Sequence, residues 1–391
     1  MTLSPVALTP AAVREALERR GMDAARADAA ACGIQPAAVM FDALKGGVRD
    51  AVALAAHEQG LACLTGADWA LLTGTLAQLA GLTRAGGSAD LDDSLASELG
   101  RTLSRLAEPP VEWEMARGTV LLDRPRVVGI LNVTPDSFSD GGHYVAAGDA
   151  IDHAARMVDA GADLLDVGAE STRPGQPDPV SVEEEWGRLA PVLPALVARF
   201  PQIPISVDTV KAETARRAAD AGVWAVNDVT GLRHDPALAD VCARTGMGLV
   251  LMHSRGDLSS IASYEHATYD DLSLEVLTEL NESIAHAERW GVGAARIVID
   301  PGLGFAKRPE HNLAVLQRLT VLGACGRPIM VGPSRKRFLG VVTATDHPED
   351  RDVATAAACV AAYERGARLF RVHAVAPTRQ ALAVAHAIRA A

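Results

Sequence analysis

Residues 129–142, "GILNVTPDSFSDGG", join two unlike halves at Asn132. The first half is a short apolar run of the kind that forms a buried strand, and the second is a polar turn. A buried strand that ends on an amide raises the question of whether other strands in the chain end the same way. Working outward, runs of the same kind recur at 127–133 "VVGILNV", 163–168 "DLLDVG", 204–209 "PISVDT" and 224–229 "WAVNDV". They continue at 248–254 "GLVLMHS", 296–302 "RIVIDPG", 328–334 "PIMVGPS" and 369–375 "LFRVHAV". Helical stretches follow them, among them "VEEEWGRLAPVLPALVARF", "AETARRAADAG" and "VATAAACVAAYERG". Non-alternating apolar strands imply burial on both faces, as in a parallel sheet covered by helices. Eight βα units in about 280 residues predict a closed (β/α)8 TIM barrel rather than an open sheet. No GxGxxG follows the first strand, which argues against dinucleotide binding.

In such a barrel the site is built where the strands end. Here those ends carry Asn132, Asp166, Asp208, Asn227, His253, Asp300, Ser334 with Lys336, and Arg371 with His373. One polar terminus is ordinary turn chemistry, but eight around one mouth predict a ligand site. Asp208, Asn227 and Asp300 are acceptor-rich and suit a nitrogen heterocycle with paired N–H donors. Arg173, Lys336, Arg371 and His373 form a cationic set suited to phosphate oxygens. Asn132 and Asp166 offer hard oxygens to Mg²⁺, which takes few protein ligands and borrows others from phosphates. The expected arrangement has acids gripping a ring on one side and cations restraining a phosphorylated tail on the other. Each residue also has a plainer reading: helix caps for Asp166 and Asp208, a surface cation for Arg173, a Schiff-base lysine for Lys336. His253 is expected in the core, and His234 and His311 have no assigned role.

The rest of the composition narrows the class. Of 391 residues, 4% are aromatic, so Ala, Val and Leu must build the core. The net charge of −12 disfavours nucleic acid as a general partner. No apolar stretch reaches the roughly 18–20 residues of a membrane span. The five cysteines are scattered singly, against a disulfide framework or zinc site and consistent with a reducing cytoplasm. The opening "MTLSPVALTPAAVREALERR" predicts no secretory signal. Residues 1–109 read as a small α/β extension of unknown role. Its expected helices are "AAVREALERRG", "GVRDAVALAAHEQG", "LAQLAGLTRAGG" and "DSLASELGRTLSRLA", with strands at "LACLTG" and "ADWALLTGT". "AEPP" at 107–110 marks the boundary, and "VEWEMARGTVLLD" predicts a hairpin closed by Gly118 before the barrel, residues 110–391.

Taken in order, "GILNVTPDSFSDGG", "LLDVGAESTRPG", "ISVDT", "VNDVTG", "VIDPGLGFAK", "GPSRKRFLG" and "RVHAV" resemble the dihydropteroate synthase family over about residues 110–391. The resemblance implies that the chain joins 6-hydroxymethyl-7,8-dihydropterin diphosphate to p-aminobenzoate, releasing diphosphate and using Mg²⁺. It implies that Asp208, Asn227, Asp300 and Lys336 hold the pterin, with Asp166 and Met252 in the same substrate site. Asn132 would meet the metal and the diphosphate, and Arg371 and His373 the same diphosphate. Thr172, Arg173, Pro174, Phe305 and Ser334 would border the p-aminobenzoate pocket, where sulfonamides compete. The catalytic set so implied is Asp208, Asp300, Lys336, Arg371 and His373. The 134–142 turn would be a loop hinged at Gly141 and Gly142. A homodimer through the last barrel helices is also implied. The sequence departs from the family pattern where Ala374 replaces an aspartate after the histidine, where Ala169 and Ala306 replace glycines, and where Ser254 replaces a methionine. Two rival readings share the acceptor cluster: a barrel methyltransferase acting on methyltetrahydrofolate, and a non-catalytic pterin-binding protein. Diphosphate release on adding p-aminobenzoate separates both from a synthase.

Overall fold

The computed structural model describes residues 36–41, 46–68, 70–83, 93–133, 143–170 and 180–391. The chain divides into two compact units, Met1–Glu108 and Pro109–Ala391.

In the first unit, β1 (Pro36–Phe41), α1 (Gly46–Glu58), β2 (Ala62–Thr65), β3 (Ala70–Thr75), α2 (Leu76–Gly81) and α3 (Asp93–Ala107) follow one another. The strands form an antiparallel sheet in the order β1-β3-β2. Val52, Leu72, Leu79, Leu99 and Leu103 are among the residues that close its core. Thr75 and Gln78 form a reciprocal capping box, with Thr75 N donating to Gln78 Oε1 at 2.9 Å and Gln78 N to Thr75 Oγ1 at 3.2 Å. Strand β1 is absent from the sequence reading. Its "PAAVMF" is rich in alanine and opens on proline, so propensity gives no strand signal, and pairing with β3 supplies the structure instead. The helix expected at "AAVREALERRG" lies outside the described residues.

The second unit opens with the hairpin of β4 (Glu112–Met115) and β5 (Gly118–Leu121), where Met115 pairs with Gly118. Eight parallel strands then close a barrel in sequence order. These are β6 (Arg126–Asn132), β7 (Leu164–Gly168), β8 (Ile205–Asp208), β9 (Ala225–Asp228), β10 (Gly248–Met252), β11 (Ile297–Asp300), β12 (Ile329–Val331) and β13 (Ala367–Val372). Strand β13 pairs back onto β6 through Phe370 and Val127, so no edge is left. Around the strands lie α4 (His143–Asp159), α5 (Val182–Leu189), α6 (Leu193–Arg199), α7 (Ala212–Asp220) and α8 (Ala237–Thr245). The ring is completed by α9 (Leu272–Arg289), α10 (Pro309–Gln317), α11 (Arg337–Thr343), α12 (Asp352–Tyr363) and α13 (Val375–Ala390).

Local chemistry sets these elements. Every residue of β7, β9, β10 and β11 is buried, as strands between a packed interior and a helical coat require. Helix α9 starts where Asp271 accepts from Ser273 N and Leu274 N, and it buries Leu272, Val276, Leu280, Ile284 and Ala287 along one face. Helix α8 stops at Gly246 with φ 72°, a left-handed residue that glycine adopts without penalty.

Inside the barrel, Val128, Leu164, Ala225, Val250, Val298, Met330 and Leu369 pack with Trp113, Met115 and Leu122. The hairpin therefore plugs the N-terminal end, and Trp113 Nε1 donates to Arg296 O at 2.9 Å. The opposite, C-terminal end is left for chemistry. Among the described residues, no helix is long and apolar enough to cross a membrane.

Candidate active site

Side chains alternate along a strand, so the residue two beyond an inward apolar one also points inward. That step takes Leu164 to Asp166, Ala225 to Asn227, Val250 to Met252, Val298 to Asp300 and Leu369 to Arg371. On β8, Ser206 steps to Asp208 at the end of the strand. Four of these strands thus step from an apolar residue to a polar or charged one, while β10 steps to Met252 and β8 is polar at both positions.

The polar layer is knit together. Asp166, 1% exposed, accepts from Ser206 Oγ at 2.5 Å, Asn227 Nδ2 at 3.0 Å and Arg371 Nε at 2.5 Å. Arg371 also donates from Nη2 to Asp208 Oδ2 at 2.7 Å. Strands β7, β9 and β13 are not all neighbours, so these side chains meet across the lumen. Burial pushes the Asp208 carboxyl up to about 7; Arg371 opposes that rise, while Asp166, Glu185 and Asp228 add to it. Burial also raises Asp300, against Lys336 and the N–H of Gly302, which donates to Asp300 Oδ1 at 2.7 Å.

Two sequence expectations change here. Asp166 is not available as a hard metal ligand, because three donors already occupy its carboxylate in the core. Nor does Arg371 face the acids from the opposite side: it stands between Asp166 and Asp208 and balances both. The reason is its register, since two residues beyond the inward Leu369 it must point into the lumen, where an unpaired guanidinium would be costly.

The cationic rim follows β12 and β13. Lys336 Nζ donates to Leu303 O and sits 4.5 Å over the ring of Phe305. Burial lowers its ammonium to about 8, although Asp300 and Asp208 favour the charge. Lys336 is aimed by Arg335, a non-glycine residue in the left-handed region at φ 57°. That conformation is held by a bidentate pair from Arg335 to Asp352 at 2.7 and 2.8 Å, and by Arg351 Nη1 donating to Arg335 O at 2.9 Å. Ser334 Oγ accepts from His373 N at 3.0 Å and lies 2.9 Å from His373 Nδ1. Ser334, in the loop after β12, thus engages both the backbone and the ring of His373 with alanine at position 374.

The structure brings Asp166, Asp208, Asn227 and Arg371 into one network and sets Lys336 with Phe305, and Ser334 with His373. Asn132 ends β6, half-buried, in register with Gly168, which pairs in turn with Asp208. Met252 packs with Val210, Val229 and Ile261, with Phe305 against the same cluster. Thr172, Arg173, Pro174 and the 134–142 turn with Gly141 and Gly142 lie outside the described residues. Among the described residues, no group of three or more His, Cys, Asp or Glu forms a metal cage. Cys242 and Cys359 are buried, and burial pushes both thiols up, which removes them as nucleophiles.

Sequence reading missed Lys307, at the end of "VIDPGLGFAK". Its side chain is 1% exposed, with Nζ 2.8 Å from His253 Nδ1 and 3.3 Å from Phe305 O. Burial lowers this lysine to about 7. His253 is likewise held down to about 4, first by its own burial and then by the Lys307 charge. The only signal in the sequence was a lysine at the end of a glycine-rich apolar run, which reads equally well as a loop cation.

Residues 128–373 match the pterin binding enzyme family. The chain is 42% identical over 273 residues to the dihydropteroate synthase of Escherichia coli (strain K12), covering 70% of this chain and 95% of that one. Among solved structures, it is similar to Xanthomonas albilineans dihydropteroate synthase with 4-aminobenzoic acid, with TM-score 0.66, 44% identity and coverage of 72% of this chain and 99% of that one. It is also similar to the same organism's enzyme in complex with 7,8-dihydropteroate, with TM-score 0.62, 40% identity and coverage of 71% and 99%.

Proposed function

Because the chain belongs to the pterin-binding enzyme family, among its dihydropteroate synthases, we propose that its barrel mouth joins 6-hydroxymethyl-7,8-dihydropterin diphosphate to p-aminobenzoate. The products are 7,8-dihydropteroate and diphosphate. The observation that carries the residue assignment is the Asp166–Arg371–Asp208 network, with Asn227 on the same carboxylate as Arg371. Asp208, Asn227 and Asp300 present acceptors to the amino and lactam edges of a pterin. Lys336, after β12 and within the field of Asp300 and Asp208, adds a donor to the same ring.

The reaction breaks a C–O bond, leaving negative charge on the diphosphate and positive charge on the pterin methylene. Ionised Asp208 and Asp300 favour the second charge; Arg371 and His373 favour the first. The neutral aniline nitrogen of p-aminobenzoate attacks the methylene carbon and then loses a proton, so no strong base is required of the protein. Phe305 and Ser334 border the p-aminobenzoate pocket in this reading, and sulfonamides would compete there.

Asn132 is the described residue that would meet Mg²⁺. A single amide oxygen, with no carboxylate cage among the described residues, suits an ion that arrives on the diphosphate. When bound, the ion would offset charge on the departing diphosphate.

Pairing of two copies through the last helices is supported by exposed Val341 and Val342 on α11, Val353 on α12, and Val384 and Ile388 on α13. Light scattering gives the mass directly: twice the chain mass agrees with this reading, and the monomer mass removes it.

The activity is tested by mixing the purified chain with the pterin diphosphate, radiolabelled p-aminobenzoate and Mg²⁺. Labelled dihydropteroate with stoichiometric diphosphate is expected. Pterin binding without diphosphate release would leave a binding protein, and methyl transfer from methyltetrahydrofolate would make it the rival enzyme.

A further inference from the structure

The loop after β11 carries the aromatic wall assigned above to the p-aminobenzoate pocket, and it is fixed from below. Its backbone lies against the end of β10: a Cβ at Gly302 would fall 1.8 Å from His253 O. Ala306 is held in the left-handed region at φ 45°, where an alanine is strained. Two bonds hold it there, Ala306 N to Ile261 O at 2.9 Å and Tyr269 OH to Ala306 O at 2.9 Å. Gly304 N donates to Asn312 Oδ1 at 2.6 Å. The remaining brace is Lys307, which donates from Nζ to Phe305 O and reaches His253 Nδ1.

No ion pair joins Lys307 to a carboxylate among the described residues. An ammonium buried this way costs more than a methylene chain of the same length, so filling space does not account for it. What distinguishes it from a buried methionine is its pair of directed hydrogen bonds. With Nδ1 accepting from Lys307, the neutral His253 ring carries its proton on Nε2, 3.1 Å from Glu279 Oε2. Glu279 in turn is held by Arg255. Nε2 makes no directed hydrogen bond there, so Glu279 is a nearby charge and the brace itself ends on His253.

We propose that Lys307 is a positioning residue: through the Phe305 carbonyl, and with His253 as its anchor, it fixes the aromatic wall that receives the aminobenzoate. This rests on the assignment of Phe305 to that pocket.

The test is steady-state kinetics on Lys307→Met, His253→Leu and His253→Gln, with folding followed by circular dichroism. Lys307→Met and His253→Leu should raise KM for p-aminobenzoate about tenfold. For both variants kcat and the pterin KM should change less than about twofold. His253→Gln keeps an acceptor for Lys307 and should recover most of the loss. Tyr269→Phe removes only the peripheral bond to Ala306 and should show the same split more weakly; it serves if the buried variants do not fold. An unchanged p-aminobenzoate KM in Lys307→Met overturns the proposal, as does a parallel fall in all parameters that tracks lost folded protein. If the unmodified chain makes no dihydropteroate at all, the functional assignment fails first, independently of Lys307.

Discussion

Two layers of the barrel interior differ by a single step along the same strands. The lower one, Val128, Leu164, Ala225, Val250, Val298, Met330 and Leu369, packs on Trp113 and is apolar apart from Ser206 on β8. The upper one holds Asp166, Asn227, Asp300 and Arg371, with Asp208 at the end of β8. Backbone and direction are shared, so the difference lies only in side-chain chemistry. The lower layer stabilises by excluded water and close packing. The upper layer holds charges at a mutual balance that the fold must support, and that a substrate can use. A strand can therefore devote successive inward positions to stability and to function.

The sharpest way to break the comparison uses one strand. Leu369→Ala and Arg371→Leu lie two residues apart on β13. Arg371→Leu should lose essentially all synthesis and about 3–5 kcal/mol of stability, because Asp166 is left buried without its cation. Leu369→Ala should cost about 2–5 kcal/mol, yet the folded variant should keep the parent's KM values. Urea denaturation and steady-state rates read both. Equal kinetic damage from the two variants would erase the distinction between the layers.

A pH series sharpens it. With the Asp208 carboxyl pushed up to about 7, it is ionised above that value and protonated below it. Only the ionised form is a full acceptor for pterin N–H groups, so the pterin KM should rise as pH falls from about 8 to about 6. Asp208→Asn should flatten this dependence and slow turnover by about 10²–10³. The smallest effect is expected at Ala374, the residue before α13, which supplies no side-chain cap. Ala374→Asp should add about 1 kcal/mol, or about 2–4 °C in Tm, with kinetics unchanged because Ser334 already engages both the backbone and the ring of His373. A changed His373-dependent rate would contradict that.

Much of this was legible from residue order. The barrel follows from eight apolar runs that end on polar groups, and the described site residues fall near those ends. What sequence could not give was depth and pairing. Asp166 read as a metal ligand and Arg371 as a phosphate cation, but strand register sends both into the lumen, where they bind each other. Ser206 looked like an ordinary strand residue and is a donor to Asp166. Nothing in the sequence singles out Lys307, whose partner His253 lies 54 residues away in the chain and meets it because β10 and β11 are neighbours. Strand β1 carried no propensity signal and exists through its pairing with β3.

The most direct measurement is calorimetric titration of the pterin diphosphate into the intact chain and into Asp208→Ala, with circular dichroism confirming the fold of both. A loss of at least about 100-fold in affinity, with an unaltered spectrum, is the predicted result. Equal affinities for the two proteins would contradict the assignment of the upper layer as the pterin site.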